Sequence, residues 1–100
     1  MITPIHPGEI LKDEFMEPLG LSANKLAGFL KVPTNRITNI VSGKRGITAD
    51  TALRLADAFG TTPEFWTNLQ DHYDLEMARM VKRPKIKRIH IPEMATMACA

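Results

Sequence analysis

Between Ala23 and Val41 apolar residues recur at helical spacing in two short runs parted by only a few residues. Ala23, Leu26, Ala27 and Leu30 stand at i, i+3, i+4 and i+7, which predicts a helix with one buried stripe over 23–30. Lys31 and Val32 are too few to be anything but a tight turn. At about 100° per residue, Pro33, Ile37, Ile40 and Val41 then share one side of a second helix, Pro33 to Val41. Its other side carries Thr34, Asn35, Thr38, Asn39 and Ser42 within about 140° of arc. A merely solvated face more often carries Glu and Lys, whereas this one is neutral and hydrogen-bonding.

Three more helices frame this pair. Pro7 suits a first turn, where its missing N–H is not needed, and Ile10, Leu11, Glu14 and Phe15 continue a helix to Met16 that Pro18 and Gly20 stop. Thr48 caps a fourth helix running through Leu53, Leu55, Ala56 and Phe59 to Gly60, and Thr62-Pro63 opens a fifth that reaches Arg79. Ser22 caps the second helix, and Gly43 suits the left-handed position that closes the third. Leu26, Ile37, Ile40 and Leu55 are the expected centre of the core. After Val81, Pro84 and Pro92 exclude a continuous helix. Ile86, Ile89 and Ile91 there make one short strand at most. The reading is an all-α fold: a five-helix domain over residues 1–80 and a basic tail over 81–100, either a short strand or disordered. One hundred residues close one modest core and no more.

Two short helices joined by a tight turn, the second exposing hydrogen-bonding side chains, form the helix-turn-helix arrangement that sets a recognition helix in the DNA major groove. Charge supports it once divided along the chain. The net charge is +2 overall, but residues 1–20 carry −3, residues 21–48 carry +5 with no acid, residues 49–80 carry −4, and residues 81–100 carry +4. Positive charge thus collects around the recognition helix and in the tail, as a polyanion-binding face requires. Asn and Thr both donate and accept toward base edges, and an Asn amide matches the adenine edge in a bidentate way. Lys44 and Arg45, just past the helix, are placed to neutralise phosphates, which adds affinity without sequence information.

Composition narrows the remaining classes. No apolar run approaches the length of about 18 residues that a membrane span needs, and the opening MITPIHPGEI lacks the regions of a signal peptide, so a cytoplasmic protein without a membrane partner is expected. Cys99 stands alone, without a disulfide or metal-site partner. His6, His72 and His90 fit no ligand spacing, so neither a metal nor a cofactor is expected. No acid pairs with a nucleophile or a phosphate loop, so no enzyme and no catalytic residue is expected. Phe65, Trp66, Leu69 and Tyr73 exceed the bulky apolar surface that one helix of a small domain usually buries. Phe65 and Leu69 are read as intramolecular; Trp66 lies about 100° around from Phe65, making one of those two a candidate for a subunit interface. The four together are the expected dimer contact.

The run LSANKLAGFLKVPTNRITNIVSGKRGIT resembles the helix-turn-helix of the phage-repressor or XRE class. More narrowly, HPGEIL, EPLGLS, GKRGIT, TALRLA and PEFWTNLQ, in that order over positions 6–78, resemble the HigA family of antitoxins, also called virulence-associated protein I. That resemblance implies a five-helix DNA-binding domain, a HigB-type ribonuclease toxin as partner, and repression of its own operon by a homodimer on a palindromic double-stranded operator. Carried over by position, base reading falls to Thr34, Asn35 and Asn39 with Arg36 and Thr38 beside them, and backbone contacts to Ser42, Lys44 and Arg45. Three positions depart from the class. Ala23 stands where a phosphate-binding Gln is common, so Asn24 or Lys25 replaces that contact. Lys31 occupies the usual Gly of the turn and is expected in the left-handed region at some energetic cost. Lys25 replaces the Glu of a capping box, which leaves Ser22 to cap alone. A repressor without a toxin, and an interaction module that has lost DNA binding, are the alternatives.

Overall fold

The computed structural model describes residues 3–92, so Cys99 and the end of the basic tail lie outside the described residues. Five helical segments fill the chain up to Arg79, as the periodicity predicts: α1 (Pro7–Ile10, continued by a π-helical stretch Leu11–Met16), α2 (Ala23–Leu30), α3 (Thr34–Val41), α4 (Ala49–Phe59) and α5 (Pro63–Arg79). The widened stretch closes with the Glu17 N–H donating to the Lys12 carbonyl, five residues back, at 2.9 Å. No strand occurs among the described residues, and 81–92 run exposed and without regular structure.

Each helix starts where a side chain can take an otherwise orphaned N–H. Ser22 accepts from Lys25 N–H at 3.1 Å, Thr48 from Thr51 at 3.4 Å and Thr62 from Phe65 at 3.1 Å. His6 does the same for α1, its Nδ1 accepting from Gly8 N–H at 2.9 Å, a role that helical periodicity does not reveal. The exception is α3. It begins at Thr34, one residue later than the spacing predicts, because Pro33 occupies the cap position with extended backbone and has no side-chain acceptor.

Leu11, Leu26, Ile37, Ile40, Leu55 and Trp66 are almost wholly buried and form the core with Met16, Ala27, Leu30, Ile47 and Ala52. In the interior α2 packs on α3 and α4, α4 on α5, and α1 closes over α3 and α5. The closest approach is at Gly8: a Cβ there would stand 1.9 Å from the Ile40 carbonyl oxygen. Only glycine lets α1 lie against the end of α3.

The aromatic residues of α5 divide differently from the expectation. Trp66 has no exposed surface. Its ring packs on Phe15 at 4.9 Å and edge-on to Phe65 at 5.0 Å, while its Nε1–H donates to Thr61 Oγ1 at 2.7 Å. Trp66 is therefore a core residue and not an interface residue, because α1 supplies the apolar surface that the sequence pattern left unassigned. Phe65 is the partner that keeps open surface, at 39%. Leu69 is half-buried against the core, and Tyr73 is half-buried with its ring edge-on to His6 at 4.8 Å.

Candidate nucleic-acid interface

Burial of Ile37 and Ile40 fixes the rotation of α3, and with it what the helix shows to solvent. Thr34, Asn35, Thr38 and Ser42 are exposed, Asn39 is half-exposed, and Val41 is half-buried on the core side. The neutral polar face therefore looks outward, in the phase the sequence predicts.

The turn that sets α3 against α2 is a Schellman motif. Val32 N–H donates to the Ala27 carbonyl at 3.1 Å and Lys31 N–H to that of Gly28 at 3.3 Å, which requires a left-handed residue between them. That residue is Lys31, at φ 57° and ψ 48°. It is the one non-glycine residue with positive φ among the described residues. The same motif ends α3, with Gly43 at φ 81°. There the Asn39 carbonyl accepts from Lys44 N–H at 2.8 Å, Arg45 N–H at 3.1 Å and the Ser42 hydroxyl at 3.2 Å. Both basic residues are thereby held at the exit of α3 by the backbone of a face residue, and neither forms an ion pair among the described residues.

The expected site residues differ in how free they are. Asn35 and Asn39 make no side-chain hydrogen bond within the protein among the described residues, so their amides are available to a ligand. Thr38 donates to the Asn35 carbonyl at 3.2 Å, which leaves its oxygen lone pairs outward. Thr34 donates to Asn24 Oδ1 at 2.9 Å. This bond puts Asn24, on α2, beside the start of α3. Arg36 is tied away from the face: its Nη1 donates to Asp50 Oδ2 at 2.7 Å.

Three positions that sequence reasoning missed hold this geometry. Asp50 also accepts from Arg54 Nε at 3.1 Å. Its carboxyl lies below the usual carboxylate range, chiefly through the hydrogen bond from Arg36; desolvation is the next effect and opposes this, and the hydrogen bond and charge of Arg54 add to the lowering. Arg54 Nη1 in turn donates to the Leu30 carbonyl at 2.7 Å and the Lys31 carbonyl at 3.3 Å, capping α2 from α4. Gln70, on α5, accepts from Ile47 N–H at 2.7 Å through Oε1 and donates to Asp74 at 2.9 Å through Nε2. The Asp50–Arg54 spacing of four was a visible pairing signal; nothing local marked Gln70, which acts across 23 residues.

Among the described residues no cluster of His, Cys, Asp or Glu has the arrangement to hold a metal ion, and no helix is long and apolar enough to cross a membrane. What the surface offers is a convex helix with free amides, flanked by unpaired cations.

The comparisons agree with this geometry. A helix-turn-helix family model matches residues 13–66. Virulence-associated protein I of Dichelobacter nodosus is 54% identical over 79 residues, covering 79% of this chain and 73% of that protein. An addiction module antidote protein of the HigA family from Coxiella burnetii superposes with a TM-score of 0.73 at 64% identity, over 77% of this chain and 84% of that one. The Pseudomonas aeruginosa antitoxin HigA, solved with the higBA promoter, gives 0.76 at 48% identity, with the same coverage of 77% and 84%. With a matched helix-turn-helix model over more than half its length and relatives of this likeness, the chain belongs to the helix-turn-helix family and, within it, to the HigA antitoxins.

Proposed function

We propose that the protein is an operon repressor and antitoxin that acts in the cytoplasm by binding and not by catalysis, reading a palindromic operator near its own promoter as a two-fold dimer and pairing with a HigB-type ribonuclease toxin. The observation that carries the DNA reading is the exposed face of α3, where Asn35 and Asn39 keep unpaired amides while Lys44 and Arg45 stand beside them. Base edges fall to Asn35 and Asn39, with Thr34 and Thr38 beside them, and phosphates to Ser42, Lys44 and Arg45. The relative solved with its promoter supports DNA as the ligand.

One recognition helix spans only a few base pairs, so two of them on half-sites about 10 to 10.5 base pairs apart give usable specificity. The acidic balance of residues 49–80 turns that region away from phosphate, which supports a two-fold contact at the open surface of Phe65 with the half-buried Leu69 and Tyr73.

Footprinting on the region upstream of the gene tests this directly. Two protected half-sites related by a dyad are expected; one unpaired half-site, or no protection, would count against it. Co-expression with the neighbouring reading frame tests the antitoxin role. A stable complex with a small basic ribonuclease is expected, and a repressor that purifies alone beside a toxic neighbour would refute the pairing.

A further inference from the structure

Arginine on a recognition helix ordinarily reaches a guanine edge or a phosphate. In this fold Arg36 is instead engaged by α4. Its guanidinium meets Asp50 at 2.7 Å, and the same carboxylate oxygen takes Arg54 at 3.1 Å. Arg54 continues the chain of bonds to the carbonyls of Leu30 and Lys31 in the turn. The Asp50 side chain is 56% exposed, and those of Arg36 and Arg54 are 29% and 39% exposed. Ion pairs this open contribute little to stability, so the network has its main consequence in where the Arg36 charge points.

We propose that Asp50 is a specificity-determining positioning residue. By keeping Arg36 bridged to α4, it withdraws from the DNA-facing surface a cation that would otherwise bind phosphate on every sequence alike. Base reading is left to the neutral Asn35 and Asn39, whose contacts depend on the base. Discrimination then rises because affinity for random DNA is kept low, with no added contact to the operator. The bridge also ties the start of α3 to the turn through Arg54, so the orientation of the reading helix and the restraint on Arg36 share one carboxylate.

This rests on α3 being the helix that faces DNA. The experiment measures affinity for operator and random-sequence duplexes over a range of salt, for the full chain and for Asp50→Asn, Asp50→Glu, Arg36→Gln and Asp50→Asn/Arg36→Gln, each first checked for native helicity. Asp50→Asn should bind random duplex about 3–10-fold more tightly at low salt, with a salt slope steeper by about one per protomer. Its operator-to-random ratio should fall by the same factor. Asp50→Glu, which keeps the charge, should retain the parental ratio. Arg36→Gln in the Asp50→Asn background should remove most of the gain in random binding. An Asp50→Asn protein with unchanged random affinity and slope overturns the proposal. So does an equal gain with Arg36 already replaced, since the lost acid alone would then account for it. If Asp50→Asn does not fold, the unaltered protein decides: the guanidinium resonance of Arg36 should keep the hindered rotation of a paired group on random duplex, and free rotation or transfer to phosphate overturns the assignment. A parent chain that binds no duplex would instead overturn the DNA-binding reading itself.

Discussion

The Oε1 of Gln70 accepts the amide hydrogen of Ile47 at 2.7 Å, and so the loop that carries Lys44 and Arg45 is anchored to α5 and not only to the helix it follows. Truncating Gln70 to Ala leaves a part-buried N–H without its partner, which typically costs about 1–3 kcal/mol. Amide hydrogen exchange at Ile47 should accelerate. Affinity for all DNA sequences should also fall, because Lys44 and Arg45 lose their fixed position. Unchanged protection at Ile47 would show that the bond does not hold the loop.

The two kinds of contact on the DNA-facing side should separate by substitution. Asn39→Ala removes an amide but spares the Asn39 carbonyl that holds Lys44 and Arg45, so it should lower operator binding by about 1–3 kcal/mol and relax sequence preference. Lys44→Ala should weaken operator and random duplex alike and reduce the salt slope by about one. If the Asn39→Ala ratio of operator to random affinity matched that of the parent, base reading would have to move elsewhere on α3.

Ile40 has no exposed surface and sets the phase of α3. Ile40→Ala should cost about 2–5 kcal/mol, a large fraction of the stability of a small domain. Thermal denaturation provides the measurement. A midpoint that did not move would contradict the burial.

Lys31 should respond in the opposite direction. A side chain in the left-handed region is strained by about 1–2 kcal/mol, which glycine escapes while losing more backbone freedom on folding. Lys31→Gly should therefore stabilise the fold by about 0.5–1 kcal/mol. A loss of stability in chemical denaturation would mean that the Lys31 side chain makes a compensating contact.

His6 should make stability depend on pH. Its imidazole is held below the usual histidine value, first by burial, with Asp74 and Glu9 pulling the other way. Its Nδ1 must stay unprotonated to cap α1. Because the folded value lies below the unfolded one, the unfolded chain binds more protons between them. The contribution of His6 is thus complete above about pH 6.5 and is lost as pH falls through the folded value. Melting temperatures should decline over that window, and less so in His6→Asn, which keeps a capping acceptor that does not titrate. Identical pH profiles for the two proteins would remove His6 from the account.

Most of this fold is local and was therefore readable. Ser22, Thr48 and Thr62 cap within three residues, and the stripe at Ile37 and Ile40 repeats within one turn. The left-handed geometry of Lys31 was legible through the resemblance alone, since Lys31 stands where the class usually carries Gly. What escaped the sequence acts at a distance. Whether Trp66 or Phe65 faces outward depends on Phe15, some fifty residues earlier, and the engagement of Arg36 depends on Asp50 across the turn. His6 as a cap depends on ring orientation, which spacing does not encode. The reading face was legible as a set of residues, but the freedom of each side chain to meet DNA was set by its tertiary partners.

The sealed indole of Trp66 also gives the molecule a built-in optical gauge. It is the single tryptophan of the chain, enclosed by Phe15, Phe59 and Phe65 and bonded to Thr61. Its emission should be blue-shifted in the native state and move red only when α1 and α5 part. Assembly at the protein surface leaves that enclosure shut, so the colour of this fluorophore reports whether each subunit is intact, separately from what it is bound to.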